Sequence, residues 1–218
     1  MLYTDSNRKH SAIGIFGDYY DLKDLYTFVS DVASGNALPS QMSEFLWSFA
    51  YDLRKAYEGR REVKELGFDS LDKTVYQGVY IYWPYFVAYL KLLRQASARR
   101  ATSRLEQGTM WMLEGLCEST LSKHSPETAR RVLHWLDHSF SFNDSYLHEW
   151  LRVCCRKYLQ EARGKKRLAG LVTFVSRVSP ISRDYQDFHS LMEEEAKRQQ
   201  CSIFSLEDQA PWPDGEEI

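Results

Sequence analysis

The sequence predicts a mainly α-helical domain of about eight helices with a small two-stranded β element. Apolar residues recur at intervals of three and four along most of the 218 residues, which is the spacing of one helix face. Serine or proline stands where several of these patterns begin, as at a helix N-terminus. Two segments, Ile13–Tyr26 and Val75–Tyr89, open instead with β-branched and aromatic residues, and we interpret each opening as a strand.

The first strand candidate leads directly into a helix. Asp21 is the predicted N-cap, and apolar residues follow at helical spacing over residues 22–32. Ser34-Gly35-Asn36 ends this helix, because such residues favour turns. A second helix is predicted over residues 43–57.

The second strand candidate, Val75–Trp83, has a glycine at its centre. Gly78 predicts a bulge, since glycine inside a strand often marks one. Pro84 then suits the first turn of a third helix, and a fourth helix begins near Ser103. Two glycines in the fourth helix, seven residues apart, allow another helix to approach closely: Gly108 and Gly115.

Four further helices are predicted in the C-terminal half. Ser125 and Pro126 are a strong start signal, a cap followed by a proline in the first turn. Other boundaries are predicted at Phe140, Asp144, Gly164, Ser179-Pro180 and Ser182. We expect one domain over residues 1–208 and a loose acidic tail over residues 209–218.

The composition is that of an ordinary globular protein. Apolar residues make up 44% and charged residues 27%, which excludes a wholly disordered chain. The formal net charge is −2, so we do not expect nucleic acid as a partner. The N-terminus lacks a signal-peptide core, and no apolar run approaches the roughly 20 residues of a membrane span. We therefore expect a cytoplasmic protein with no membrane partner.

Sequence signatures of catalysis and cofactor binding are missing. The chain has no Gly-x-Ser-x-Gly, no phosphate loop and no glycine-rich dinucleotide turn, so we predict no cofactor. Cys117 and Cys154 fall on apolar helix faces, where a thiol stays protonated. Cys155 is adjacent to Cys154 and Cys201 stands alone, which indicates a reduced protein rather than a disulfide framework.

Two short motifs carry a resemblance. The first is Gly17-Asp18-Tyr19-Tyr20-Asp21-Leu22, of the form Gly-x-Tyr-Tyr-Asp-Leu. The second is Gly78-Val79-Tyr80-Ile81-Tyr82-Trp83-Pro84, of the form Gly-x-x-x-x-Trp-Pro, and Leu92-Leu93-Arg94 follows it on a helix. In these motifs the chain resembles a bacterial protein family of unknown function. The resemblance implies a bacterial origin and supplies no catalytic residue.

One pair of histidines has the spacing of metal ligands. His134 and His138 lie four residues apart on a predicted helix, where two imidazoles can share one ion. A zinc hydrolase would need glutamate directly after the first histidine, and Trp135 occupies that position. Arg130 and Arg131 share the same outer face and repel a cation. We predict two solvated histidines and no metal site.

Two groups of basic residues are candidates for phosphate contact. The first lies at a predicted helix end and the second in a predicted loop, and no nucleic-acid motif accompanies either group. We therefore favour solvated charge. The groups are Arg94, Arg99, Arg100 and Arg104, and Arg163, Lys165, Lys166 and Arg167.

The aromatic segments supply the candidate binding residues. Aromatic walls with a few polar groups suit a small-ligand pocket or a protein interface. The structural alternative is that the aromatic rings belong to the core, while Asp21 caps a helix and Arg94 pairs with an acidic neighbour. The candidates are Asp18, Tyr20, Tyr82, Trp83 and Arg94.

Two functions stay open at this point. The first is a non-enzymatic protein-interaction or regulatory module that self-associates or binds a protein partner, with Trp135 as an exposed anchor in an apolar patch. The second is an enzyme or small-ligand sensor whose pocket lies between the two aromatic segments and uses Asp18, Tyr20 and Arg94. We favour the first, because no catalytic signature is found.

Overall fold

The computed structural model describes residues 1–66, 74–138, 146–161, 163–202 and 206. Within these ranges it contains eight helices and four strands, which confirms the predicted mainly helical fold. The strands are β1 Tyr3–Ser6, β2 Ala12–Gly17, β3 Glu62–Leu66 and β4 Thr74–Tyr82. The helices are α1 Tyr19–Ser34, α2 Ser40–Tyr57, α3 Trp83–Ala98, α4 Arg104–Ser122, α5 Pro126–Asp137, α6 Leu147–Glu161, α7 Lys165–Arg177 and α8 Arg183–Gln199.

The β element is a four-stranded antiparallel sheet, so the predicted two strands are only its central pair. The strand order is β1-β2-β4-β3, and β2 pairs with β4 as the two aromatic segments suggested. The edge strands β1 and β3 were not predicted, because their sequences, YTDS and EVKEL, are largely polar. An edge strand is held by backbone hydrogen bonds along one side and needs no continuous apolar pattern.

The predicted bulge at Gly78 is wrong. β2 and β4 pair in continuous register through this residue, with Phe16 opposite Gly78 and Gly17 opposite Gln77. A Cβ atom at residue 78 would lie 2.2 Å from Cδ1 of the Phe16 ring. Glycine is needed here because the ring of Phe16 lies across the strand.

The inner face of the sheet belongs to the buried core. Ile13 and Ile15 of β2 and Val79 and Ile81 of β4 are 4% exposed or less and face the helices. Helix α3 runs through the centre of this core and packs against α1, α2, α4, α5, α6 and α7. The inner face of the sheet is thus covered by the helices.

Most predicted helix starts coincide with observed caps. Ser103, Ser125 and Ser182 each accept a hydrogen bond from the backbone N–H three residues later. The cap of α1 is Asp18 and not Asp21. Asp21 is the third helical residue and completes a capping box, because its carboxylate accepts from the backbone N–H of Asp18.

Other boundaries shift by a few residues. Helix α2 begins at Ser40, and α5 ends at Asp137, earlier than the predicted end at Phe140. The predicted boundaries Phe140 and Asp144, and the tail over residues 209–218, lie outside the described residues. Among the described residues, no helix combines the length and apolar character needed to cross a membrane.

Candidate functional site: a tyrosine groove beside β4

A groove with a volume of about 610 Å³ lies between α2, β4 and α3. Four tyrosines from β4 and α3 form its aromatic surface, and polar residues of α2 face them across the opening. The lining residues are Ser48, Asp52, Arg60, Arg61, Glu62, Val79, Tyr80, Ile81, Tyr82, Tyr85 and Tyr89.

One side of the groove is a strand edge. Strand β3 pairs with β4 only over Thr74–Gly78, with Glu62 opposite Gly78. Beyond Gly78, β4 continues along the groove, and no other described strand pairs with that side of Val79–Ile81. Residues of a strand direct their N–H and C=O groups alternately to the two sides. Trp83 N–H donates to the Ser11 carbonyl, so by alternation Val79 and Ile81 direct their backbone groups to β2 and Tyr80 directs its own to the groove.

The wall formed by α3 is rigidly packed. The Tyr89 ring stacks on Phe49 with 4.8 Å between centroids, and its hydroxyl lies 2.8 Å from the Ser48 hydroxyl. Tyr85 meets Tyr82 and Phe45 edge to face. Burial raises the pKa of Tyr85 and of Tyr89 far above the ordinary value, so both phenols stay neutral hydrogen-bonding groups.

Charged residues stand at the mouth of the groove. Asp52 on α2 accepts a hydrogen bond from Arg61 Nη2 at 2.6 Å. Arg60 Nε lies 3.5 Å from a carboxylate oxygen of Glu58. Both ion pairs are partly exposed and therefore weak. A bound molecule can replace one member of either pair at little energetic cost.

The outer face of the sheet meets the groove at Tyr80. Its hydroxyl accepts a hydrogen bond from Lys64 at 2.9 Å, while Asp5 pairs with the same ammonium group. Lys64 also lies 3.9 Å from the centre of the Phe16 ring. Burial alone lowers the pKa of Lys64, but its hydrogen bonds to Asp5 and Tyr80 outweigh burial and raise that pKa above the ordinary value. Tyr80 is thereby fixed in position.

The five predicted binding residues do not share one pocket. Tyr82 lines the tyrosine groove. Trp83 is fully buried in the core, and Asp18 serves as the α1 cap. Tyr20 is 73% exposed and lies edge to face against Tyr19.

Arg94 lies in a different place, at the junction of α3, α4 and α5. It bridges Glu114, with its Nε 2.8 Å from a carboxylate oxygen, and Asp137. A separate cavity of about 250 Å³ adjoins it and includes Trp111 in its lining. Arg94 therefore pairs with acidic neighbours, which is the structural alternative to a role in ligand binding.

Comparison with known families gives one match. A family model described as a domain of unknown function, DUF6904, covers residues 2–218. The chain belongs to this DUF6904 family. No curated protein and no solved structure is significantly similar to it. The expected membership of a family of unknown function is confirmed. That the two motifs are typical of this family, and that the protein is bacterial, stay predictions.

The histidine pair of this DUF6904 protein faces a second cavity, of about 890 Å³, between α5 and α7. The rings of His134 and His138 are 4.4 Å apart, and His138 Nδ1 donates to the His134 carbonyl at 2.7 Å. Arg130 and Arg131 line the same cavity. Among the described residues, no cluster of three or more histidine, cysteine or acidic side chains is placed to hold a metal ion.

Two expectations about exposed residues are wrong. Trp135 is only 8% exposed, because α5 turns it toward α3, where Lys91 lies 5.5 Å from its ring. It is therefore no surface anchor. Lys166 and Arg167 lie within α7 rather than in a loop, and Arg167 is 1% exposed and donates to the Leu159 carbonyl at 3.0 Å.

Three of the four cysteines offer no reactive thiolate. Cys117, Cys154 and Cys155 are buried, and burial raises the pKa of each thiol, to about 12 for Cys154. A protonated thiol is a poor nucleophile and a poor metal ligand.

Ser48, Asp52, Arg60 and Arg61 are groove residues that the sequence analysis missed. A signal exists for the first two: Ser48 and Asp52 lie four residues apart on α2, beside the apolar stripe. Nothing in the sequence indicates that this flank faces β4, because the contact depends on where β3 stops pairing.

Proposed function

We propose that this protein is a non-enzymatic protein-interaction module that takes up an extended segment of a partner protein in the tyrosine groove. The observation that carries the proposal is the side of β4 away from β2 at Val79–Ile81, which no described strand pairs and where the backbone groups of Tyr80 face the groove. An extended peptide laid along this edge continues the sheet in line with β3.

The side chains around the edge suit a peptide ligand. Main-chain hydrogen bonds to β4 would supply affinity, and alternate side chains of the peptide would meet the two walls. Tyr82 and Tyr85 offer aromatic surface, and tyrosine contributes large contact area at low entropic cost. Asp52 and Arg61 at the mouth would select the charge of the peptide ends.

A displayed random-peptide library provides the test. We expect the full chain to enrich peptides from the library. The same peptides should bind the Glu44→Arg variant and should fail to bind the Ser48→Arg variant. Ser48 is exposed and lines the groove, so arginine there blocks the groove. Circular dichroism of Ser48→Arg checks that the fold survives loss of the hydrogen bond to Tyr89. Glu44 is exposed one turn earlier on α2 and does not line it, which makes Glu44→Arg the matched control.

Amide hydrogen exchange on the complex tests the mode of binding. Strand addition protects the backbone amide of Tyr80 when the peptide binds, because the amides of Val79 and Ile81 already pair with β2. Failure to enrich any peptide, or enriched peptides that bind Ser48→Arg as tightly as the unmodified chain, contradicts the proposal. Binding without new protection of the Tyr80 amide contradicts strand addition.

A small-ligand sensor or enzyme is the second candidate. Its support is the volume of the groove, about 610 Å³, which lies within the range of small-molecule sites. The neutral hydroxyls of Ser48 and Tyr89 and the carboxylate of Asp52 would orient such a ligand. Native mass spectrometry of gently purified protein tests it. A small molecule that the unmodified chain retains and the Ser48→Arg variant does not retain favours this candidate over a peptide partner.

The proposed setting is the bacterial cytoplasm. The two short motifs support a bacterial source, and all four cysteines are free, three of them buried, as suits a reducing compartment. A single domain over residues 1–208 is part of the same proposal.

A further inference from the structure

The outer face of α4 exposes large apolar side chains. Trp111 is 73% exposed, Leu105 80% and Met112 39%. With 3.6 residues per turn, these three side chains fall within about 120° of one another around the helix axis. An exposed apolar cluster of this kind on a folded chain indicates a contact surface.

Two glycines lie on the same face as Trp111. A Cβ atom at Gly108 or at Gly115 would have no neighbour within 4 Å. Within the described chain, these glycines therefore serve no internal packing, although each weakens the helix by about 1 kcal/mol relative to alanine. Their role is explained if a second helix packs over them from outside, since glycine lets two helix backbones approach closely.

The charges on this face are arranged symmetrically about Trp111. Arg104 and Glu118 stand seven residues before and seven residues after it, and both are exposed. Neither forms a hydrogen bond or an ion pair with another described side chain. The midpoint between Gly108 and Gly115 falls half a residue further along the helix, between Trp111 and Met112.

We propose that α4 pairs antiparallel with α4 of a second copy of this chain, across a two-fold axis at Trp111. This arrangement places Arg104 opposite the partner copy's equivalent of Glu118, twice by symmetry, and brings Gly108 within one residue of the equivalent of Gly115. A parallel pairing would instead place like charges together. The face is complementary to itself in one orientation only.

The dimer is expected to be reversible. One helix face buries less than the roughly 1,600 Å² of a standard interface, so the copies separate on dilution. The tyrosine groove lies on α2, α3 and β4, and this inference is therefore independent of the proposed peptide site.

Sedimentation equilibrium of the full chain over a wide concentration range is the first test. We expect a mass that rises to twice the 25.6 kDa of the chain. Trp111→Asp should give the single-chain mass at concentrations where the unmodified protein is dimeric. Leu191→Asp, which changes a 65% exposed leucine on α8, should leave the dimer intact.

Charge exchange tests the orientation. Arg104→Glu and Glu118→Arg should each raise the dimer dissociation constant by about tenfold, because each creates two like-charge contacts. The double variant restores both ion pairs and should return the dissociation constant to that of the unmodified protein. An equimolar mixture of the two single variants should form a heterodimer for the same reason.

Several results overturn the proposal. They are a chain that stays monomeric at every concentration, a dimer that Trp111→Asp does not affect, or a double charge variant as weak as the single variants. A monomer that binds a different protein through Trp111 overturns it in favour of a heteromeric partner. Circular dichroism of each variant separates these results from loss of the fold.

Discussion

The ammonium group of Lys91 donates a hydrogen bond to the Leu136 carbonyl at 2.8 Å, within the core. The carbonyls of Trp135 and His138 accept from the same group, so Lys91 of α3 satisfies the C-terminal carbonyls of α5. A cation suits this position because the C-terminus of a helix carries partial negative charge. Lys91 is nonetheless 2% exposed, and its burial has consequences for stability.

The stability of the fold should depend on pH through Lys91. Burial, assisted by Arg94, lowers its pKa from 10.5 to about 8. Between these two values the unfolded chain holds a proton on residue 91 that the folded chain has lost, so the free energy of unfolding rises with pH. The rise amounts to at most about 3 kcal/mol.

Urea titrations at a series of pH values between 8 and 10 measure this effect against a variant that cannot titrate. The free energy of unfolding of the unmodified chain, minus that of Lys91→Met, should increase with pH. Lys23 is exposed on α1, and Lys23→Met is the control for replacing a lysine by methionine. A difference for Lys91→Met that does not change with pH would show that burial does not lower the pKa of Lys91.

Arg94→Ala should destabilise the fold by about 1–3 kcal/mol, because it removes the charge partner of Glu114. Burial already raises the pKa of Glu114 against the opposing effect of Arg94, and loss of the arginine leaves burial unopposed. The folded Arg94→Ala chain then binds a proton more readily than the unfolded chain. Its deficit in unfolding free energy should therefore shrink as the pH falls from 7 to 5.

Chemical denaturation at both pH values measures that change. The matched control is Arg130→Ala, which removes an exposed arginine paired with Glu127 and should have no measurable effect. Adding Glu114→Gln to Arg94→Ala should recover part of the stability at pH 7. If the loss of unfolding free energy in Arg94→Ala is equal at pH 7 and pH 5, the charge of Glu114 is not its cause.

Gly78→Ala should destabilise the sheet by about 1–3 kcal/mol, the usual effect of overpacking. The added methyl group would lie 2.2 Å from the Phe16 ring and 2.5 Å from the Ile15 carbonyl oxygen, so backbone as well as side chain must move. Gly108→Ala on α4 is the control, since nothing lies within 4 Å of its added methyl group. Measured at concentrations where the chain is monomeric, it should gain about 0.5–1 kcal/mol.

Tyr89→Phe should lower the free energy of unfolding by about 1 kcal/mol, because it removes the hydrogen bond to Ser48 and keeps the ring stacked on Phe49. Tyr20→Phe changes a 73% exposed tyrosine with little burial and should leave stability unchanged. Equal effects of the two substitutions in thermal denaturation would mean that the hydroxyl of Tyr89 contributes nothing to the wall of the groove.

Local chemistry explains which parts of the fold were predictable. A serine before a helical stripe has to satisfy backbone N–H groups of the first turn, so Ser103, Ser125 and Ser182 fixed three helix starts from neighbours in sequence alone. The same reasoning failed by three residues at α1, because Asp18 and Asp21 have the same side chain and share one capping box.

The candidate site was predicted only in part. Tyr82 was identified because aromatic residues are conspicuous in a sequence, whereas Asp52 and Arg61 are polar residues of a kind that most surfaces carry. Trp135 was assigned to the surface and is buried, because α5 turns it toward Lys91 on α3.

The sequence by itself determined the mainly helical fold, most helix boundaries, the central strand pair and the lack of catalytic signatures, because these depend on residues close together in the chain. The tertiary structure decided that β3 stops pairing at Gly78, that α2 and α3 enclose the remaining edge, and that the face of α4 around Trp111 is left exposed. These features depend on the relative placement of distant elements. No local pattern of side chains encodes that placement, because it follows from how all the apolar faces are buried together.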